Sequence, residues 1–198
     1  MKVAILAKGK TIEKYPGRGG FDQVWGLNQI GQTHALDRLY VMDDLELRLP
    51  YYDGPEFPEW LKTYEGRIIT SKQYDEWPTS EPFPLIETAH YFGLPLGIAM
   101  YSTTDYMLAD AIREGAEEIH LYGVDCTSPG MDQIRCSIAM WIGVAMGRGI
   151  RVVALNGSVF RWWTYAGRCL EQGLYGYVDR PRIEQLGQVQ DGQILRTH

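Results

Sequence analysis

The sequence predicts an α/β protein built on a mostly parallel, doubly wound sheet in three layers. Short apolar runs bounded by glycine, such as residues 2–7, have the pattern of strands that are buried on both faces. Segments with apolar residues at helical spacing lie between several of these runs. Strands and helices that alternate and are joined by short turns favour a parallel sheet with helices on both of its faces.

Six segments have the pattern of strands. In chain order they are residues 2–7, 22–28, 38–44, 66–71, 118–125 and 150–157. A helix is predicted where Met107, Leu108, Ala111 and Ile112 form one apolar stripe at helical spacing. Gly115 provides the left-handed residue that commonly ends such a helix.

The remaining segments complete the predicted architecture. Residues 60–64 and 134–146 are predicted to form a short and a longer helix. Residues 74–95 contain four prolines among aromatic residues and are predicted to be mostly loop. From residue 173 onward, polar and apolar residues alternate around a "QDGQ" turn, which favours an antiparallel hairpin or a docking arm. We therefore predict a main domain at 1–172 and a hairpin or arm at 173–198, packed on that domain or on a partner subunit.

Composition and charge narrow the class of protein. A chain of 198 residues is long enough to bury a core and short enough to form one domain. Its net charge of −6 and pI near 5.2 argue against a protein that grips nucleic-acid backbones. Three cysteines without close pairing are typical of a reducing compartment, and no apolar run is long enough to span a bilayer. We predict a cytoplasmic protein whose partner is a small molecule, not nucleic acid or a membrane.

Polar residues follow most of the predicted strands at their carboxyl ends. In an open α/β sheet the ligand crevice lies beyond these ends, so residues that follow different strands converge there. The candidates in chain order are Lys8, Gly9, Lys10, Thr11, Asn28, Asp43, Asp44, Ser71, Lys72, Gly123, Asp125, Asn156, Gly157 and Ser158. We predict that they form a polar ligand site at this edge of the sheet.

The turn after the first predicted strand is basic. Its sequence, "AKGKT", resembles a phosphate-binding loop, but Ala4 holds the place of the glycine that such a loop needs five residues before Gly-Lys-Thr. The dinucleotide fingerprint G-x-G-x-x-G is missing there as well. Lys8 can therefore contact an anion in an unspecialised turn, or the turn can simply be solvated.

Three hydroxyl-bearing residues, Ser102, Thr103 and Thr104, precede Asp105 and the apolar stripe of the predicted helix. One hydroxyl is enough to cap a helix N-terminus. Helix N-termini also bind anions, because their free amides and the helix dipole point outward. Capping alone and capping combined with ligand contact are both compatible with this pattern.

Other charged positions have more than one interpretation. Asp125 leaves a buried strand, where its carboxylate can accept hydrogen bonds from ribose, hold a metal ion or cap the next turn. Asp43 and Asp44 can hold Mg²⁺ against a diphosphate or lie in a solvated turn. Arg135 begins an apolar helix and can pair with a phosphate or carboxylate, or form a surface ion pair.

The order of these motifs resembles a known family. "LNQ" after the second strand, an aspartate after the third, "STTDYMLADAIREGAEEIHLYGVD" and "ALNGS" resemble the motility-accessory-factor family. That family includes hydroxymethylpterin diphosphokinase-like proteins and is distantly related to bacterial sialyltransferases. The segment from "GVDC" to "GRGIRV" also resembles small phage-encoded proteins, which would place the chain in a host cytoplasm. The resemblance implies a Rossmann-like fold with ligand contacts at Asn28, Asp43, Ser102, Thr103, Gly123 and Asp125.

The resemblance implies a protein that handles nucleotides, nucleotide sugars or diphosphates. In a nucleotide-dependent transferase, residues 102–105 would hold a phosphate while Asp125 and Asn28 fix the sugar or base. Asp43 with Asp44 would bind Mg²⁺, and Asp43 and Asp125 are the candidate catalytic residues. The chain departs from the family where "KGKT" replaces a Gly-Pro-Ser loop, and the acid histidine of sialyltransferase-like enzymes has no counterpart.

Two other hypotheses remain open at this point. The chain can be a non-catalytic protein that sequesters a nucleotide-derived signal molecule, or a structural protein whose site is inactive. Under all three hypotheses the aromatic residues of the C-terminal tail predict a homo-oligomer.

Overall fold

A seven-stranded, all-parallel sheet forms the centre of the molecule. The computed structural model describes residues 1–43, 54, 56–93, 100–128 and 130–154, together with the backbone of 164–165 and 168–169. The strands are β1 Lys2–Leu6, β2 Gln23–Leu27, β3 Arg38–Val41, β4 Ile68–Thr70, β5 Ser80–Pro82, β6 Glu118–Tyr122 and β7 Arg151–Ala154. Their order across the sheet is β5-β4-β3-β2-β1-β6-β7.

Helices cover both faces of this sheet. A 3-10 helix spans Lys10–Lys14, and the α-helices are α1 Ile30–Thr33, α2 Glu56–Lys62, α3 Leu85–Phe92, α4 Thr103–Arg113 and α5 Asp132–Gly147. Side chains alternate along each strand, so Val3 and Ile5 of β1 pack in the cluster that contains α4 and α5. Ala4 and Leu6 pack on the opposite face, in the cluster that contains α1. The predicted Rossmann-like, three-layer α/β fold is confirmed.

The segment predicted to be loop, residues 74–95, contains both β5 and α3. The prediction was wrong because the prolines in this segment occupy positions where regular structure tolerates them. Pro82 ends an edge strand, where a missing amide donor leaves no ladder bond unmade. Pro84 caps the start of α3, and Gly93 ends that helix with a left-handed φ of 64°. Helix α2 likewise begins earlier than predicted, with Pro58 in its first turn.

A buried polar network joins β3 to α4. Arg38 donates to Asp110 (3.0 Å) and to both carboxylate oxygens of Glu114 (2.7 Å each). The hydroxyl of Tyr40, which is fully buried, donates to the same Asp110 oxygen at 2.6 Å. Arg113 donates to the other oxygen of Asp110. A buried carboxylate needs such partners because desolvation without compensation is costly. This network fixes α4 on the sheet.

The strand order creates one topological switch point. From β1 the chain proceeds outward through β2 to β5 and then returns to the other side of β1 with β6. The connections that follow β1 and β6 therefore run to opposite faces of the sheet, and open α/β sheets form their ligand crevice at such a point.

The C-terminal predictions fall mostly beyond the described residues. Two short strands, β8 Thr164–Tyr165 and β9 Arg168–Cys169, pair antiparallel. The predicted hairpin or arm at 173–198 lies outside the described residues, as do the tail aromatics on which the homo-oligomer prediction rests. The boundary between 1–172 and 173–198 stays a prediction. In the described part of the chain, no helix is both long and apolar enough to cross a membrane.

Candidate ligand-binding site

A cavity of about 630 Å³ opens at the switch point between β1 and β6. Its walls are the loops after these two strands, the N-terminus of α4 and the first half of α5. The predicted site residues that line it are Lys8, Gly9, Asp43, Ser102, Thr103, Thr104, Gly123 and Asp125. The strand-end residues among them lie at one edge of the sheet, as the strand-end rule predicts, and ligand binding there stays a prediction.

Two glycines allow the loops after β1 and β6 to approach each other. The amide of Gly9 donates to the carbonyl oxygen of Gly123 at 2.8 Å. Gly123 has a φ of +72°, and a Cβ there would lie 2.6 Å from the carbonyl carbon of Ala7. A Cβ on Gly9 would lie 2.5 Å from a carboxylate oxygen of Asp125. Any other residue type at either position would push the two loops apart.

Asp125 is buried and fastens the loop after β6 to the 3-10 helix after β1. One carboxylate oxygen accepts the backbone amide of Thr11 at 2.9 Å, and the other accepts the Thr11 hydroxyl. The same hydroxyl accepts the amide of Gly123 at 2.9 Å. These bonds hold the two cavity loops in one arrangement. A catalytic role for Asp125 stays a prediction.

The start of α4 is held by a buried carboxylate. Asp105 Oδ2 accepts the backbone amides of Tyr101 (2.9 Å) and Ser102 (2.7 Å) and the hydroxyls of Ser102 (3.1 Å) and Ser137 (2.9 Å). Burial raises the pKa of Asp105 to about 6, although the bonds from Ser137, Tyr101 and Ser102 act to lower it. The contact with Ser137 ties the α4 terminus to α5.

Capping at this helix therefore engages Ser102 and Asp105, the first and last residues of the Ser-Thr-Thr-Asp motif. Thr103 and Thr104 are the first helical residues, and both line the cavity. The backbone amides of a helix's first turn lack intrahelical partners and point toward its N-terminal end. The motif thus combines a cap with a donor-rich cavity wall, and ligand contact by its residues stays a prediction.

Asn28 ends β2 in a left-handed conformation with a φ of 48° and is only 6% exposed. Its side-chain amide nitrogen donates to Asp43 at 3.3 Å, and Asp43 lines the cavity. The side-chain oxygen of Asn28 is buried and has no hydrogen-bond partner among the described residues. Asn28 thus supports the cavity wall through Asp43, and direct ligand contact stays a prediction.

Two lysines bring positive charge to the cavity. Lys8 and Lys10 flank Gly9 in the loop after β1, and both line the cavity. The ammonium group of Lys8 also lies 3.3 Å from the side-chain oxygen of Gln29. Lysine ammonium groups at a cavity wall favour a ligand that carries negative charge.

Arg135 is buried but is not among the residues that line the cavity. Its guanidinium donates to the carbonyl oxygen of Cys126 and to the carboxylate of Asp132. Cys126 has a φ of 48°, so the arginine fastens a strained turn in the loop after β6. The ion pair that the sequence suggested is present, but the guanidinium that makes it is buried. Pairing with a ligand phosphate stays a prediction.

Of the two predicted Mg²⁺ ligands, Asp43 lies within the described residues and Asp44 does not. Asn156 lies outside the described residues as well. Within the described ranges, no group of three or more histidine, cysteine or acidic residues is placed to hold a metal ion. Asp43 and Asp125 are the carboxylates of the described cavity wall, and Asp125 already accepts two hydrogen bonds from Thr11. Mg²⁺ binding by Asp43 with Asp44 stays a prediction.

The sequence analysis did not identify several residues that line the cavity. They are Tyr101, Thr127, Ser128, Met131, Ile134 and Ile138. Thr127 and Ser128 follow β6 directly, so the strand-end rule contained the signal for them. Nothing in the sequence pattern placed Tyr101 or the apolar wall of α5 in the cavity, because that requires the packing of α4 against α5.

The fold and the cavity define the class of protein, a Rossmann-like α/β protein with a pocket at its switch point. Solved structures of the Campylobacter jejuni sialyltransferase CstII share this fold. The structure of CstII with the substrate analogue CMP-3FNeuAc has 18% sequence identity to this chain and a TM-score of 0.51. The match covers 77% of this chain and 79% of the CstII chain. The structure of CstII with cytidine-5'-monophosphate has 18% sequence identity to this chain and a TM-score of 0.52. The match covers 87% of this chain and 88% of the CstII chain.

A third structure, with a trisaccharide acceptor and CMP, is 17% identical with a TM-score of 0.50 and covers 87% of this chain and 89% of that chain. At these identities the similarity concerns the fold. No protein-family model matches the chain. No curated protein sequence matches it either. The resemblance to sialyltransferases drawn from the sequence therefore holds at the level of fold. Membership of the motility-accessory-factor family and kinship with phage proteins stay predictions.

Proposed function

We propose that the cavity binds a nucleotide sugar and that the protein transfers the sugar to an acceptor. The observation that carries this proposal is the convergence of Lys8, Lys10 and the α4 N-terminus on one cavity at the switch point. Ammonium groups and free helix amides are complementary to a phosphate. The CstII structures with CMP and a CMP-sugar analogue share the fold and support the choice of nucleotide.

In this proposal each wall of the cavity has a task. The loop that carries Lys8 and Lys10 neutralises the phosphate, and the α4 start, with Thr103 and Thr104, donates hydrogen bonds to it. Thr127 and Ser128 would meet the sugar hydroxyls. Catalysis would consist of positioning the donor and stabilising charge on the departing nucleotide.

The proposal is tested first by binding. We expect CMP to bind the wild-type protein in isothermal titration calorimetry, and Lys8→Met to weaken binding roughly tenfold through loss of one charge-assisted contact. Lys62→Met removes the same charge from α2, away from the cavity, and should leave the affinity unchanged. Equal affinity in Lys8→Met and wild type would contradict the assigned phosphate position. Absence of CMP binding would contradict the proposal itself.

Sequestration without turnover is the second candidate function. It is favoured by Asp125, whose two carboxylate oxygens each accept a hydrogen bond from Thr11, and by the described cavity wall, which contains no histidine. Incubation of the protein with a CMP-sugar and an oligosaccharide acceptor distinguishes the two functions. Release of CMP together with a glycosylated acceptor establishes transfer, whereas quantitative recovery of the tightly bound donor establishes sequestration.

A further inference from the structure

We infer that Tyr101 stacks on the nucleobase of the ligand and so selects for nucleotides over other phosphorylated compounds. The inference rests on the proposed function and names the residue that would recognise the base. Tyr101 lines the cavity, and 54% of the residue is exposed, so the residue lies where the cavity meets solvent. When a planar group covers an aromatic face that is open to solvent, the stacking contact stabilises the complex.

The backbone of Tyr101 is fixed although its ring is exposed. Its amide donates to Asp105 Oδ2 at 2.9 Å, and the same oxygen accepts the amide of Ser102 and the hydroxyl of Ser137. Asp105 is fully buried, so this anchor is shielded from water. Because the backbone is already fixed, ordering on ligand binding is confined to the side-chain torsions of Tyr101.

Other aromatic rings near α3 and α4 already have ring partners. Phe83 contacts Tyr106 edge-on at 5.0 Å, and Phe92 contacts Trp141 at 4.7 Å. Within the described ranges no ring packs against Tyr101, and it is the aromatic residue of the described cavity wall. Together with the 54% exposure of the residue, this leaves Tyr101 as the side chain of the described wall that is suited to stacking.

The cavity is chemically divided in a way that suits a nucleotide. Lys8 and Lys10 provide the charged part, whereas Met131, Ile134 and Ile138 of α5 provide an apolar wall. Tyr101 directly precedes the α4 start that we assign to the phosphate, so a phosphate bound there places its nucleoside within reach of the ring. A volume of about 630 Å³ is within the usual range for sites that bind molecules of this size.

The test compares ligands with and without a base. CMP and ribose 5-phosphate are titrated calorimetrically into wild type, Tyr101→Ala, Tyr101→Phe and, as control, Tyr91→Ala. Tyr91 is 46% exposed on α3 and does not line the cavity. We expect Tyr101→Ala to weaken CMP at least about tenfold while ribose 5-phosphate changes less than about twofold, as base–aromatic stacking requires. Tyr101→Phe and Tyr91→Ala should bind both ligands like wild type.

Each other outcome is decisive. Equal weakening of both ligands by Tyr101→Ala, or no weakening of either, overturns the stacking role while the phosphate site stands. If Tyr101→Phe weakens CMP as much as Tyr101→Ala, a hydroxyl contact replaces stacking and the inference is wrong. If wild type binds neither ligand, the proposed function fails together with this inference. Circular dichroism of the variants confirms that an exposed substitution has left the fold intact.

Discussion

Asp105 offers a quantitative test of the site's structure through the pH dependence of stability. It is fully buried at the N-terminus of α4, and burial raises its pKa from 3.8 to about 6. We propose the substitution Asp105→Asn, which keeps the shape of the side chain and removes the titrating group. The Asn side-chain oxygen can still accept the amides of Tyr101 and Ser102 in place of Oδ2. Its amide nitrogen would replace Oδ1, which is buried without a hydrogen-bond partner among the described residues.

The expected magnitude follows from linkage. The folded protein holds the Asp105 proton more tightly than the unfolded chain, because its pKa is raised. This group's contribution to stability is therefore complete below pH 3.8 and is lost as the pH rises through about 6. The two pKa values differ by about 2.2 pH units, and at 1.36 kcal/mol per unit the loss is about 3 kcal/mol. The Asp105→Asn variant has no titrating group at this position, so it does not undergo this pH-dependent loss of stability.

The assay is urea unfolding, followed by tryptophan fluorescence, at several pH values between 4 and 8. The free energy of unfolding of Asp105→Asn, relative to wild type, should rise by about 2.4 kcal/mol across this range, because a small part of the loss has already occurred at pH 4. The difference at pH 4 measures the substitution itself, and its change with pH measures the charge. Asp75→Asn removes an exposed carboxylate and should follow the wild-type profile. Parallel profiles for Asp105→Asn and wild type would refute the argument that this carboxylate is desolvated.

Two further perturbations test the framework around the site. Gly123→Ala should destabilise the protein by at least about 2 kcal/mol in urea unfolding, because the residue has a φ of +72° and its Cβ would overlap the Ala7 carbonyl group. Gly143→Ala is its matched control: the glycine is exposed within α5 with nothing within 4 Å of a Cβ, so the variant should gain up to about 1 kcal/mol. Destabilisation of similar size in both variants would contradict the close approach of the two loops. Tyr40→Phe removes the buried hydroxyl that donates to Asp110 at 2.6 Å, and we expect a loss of roughly 1.5–3 kcal/mol by the same measurement. A loss below about 0.5 kcal/mol would mean that Arg38 and Arg113 alone satisfy Asp110.

The sequence by itself determined the architecture, because the pattern of buried faces is local. The apolar runs at β1 and β6 and the stripe on α4 each specify an element and its inner face without reference to distant residues. The alternation of strands and helices predicts a parallel sheet. Lys8, Gly123 and the start of α4 lie near one another at the carboxyl edge of that sheet. The prediction from local sequence was wrong at β5 and α3. The prolines there predicted a loop, but an edge strand and a helix start both tolerate proline.

Only the tertiary structure decided what each polar side chain does in the site. Asp125 binds Thr11, which is 114 residues away in the chain, and Arg135 fastens the loop at Cys126. Tyr101 reaches the cavity because Asp105 ties the α4 start to Ser137 of α5. A hydrogen bond depends on which atoms lie within about 3 Å of one another, and residue type and spacing do not encode that across separate elements. The sequence therefore predicted several of the residues that line the cavity, and the packing of α4, α5 and the two loops assigned their partners.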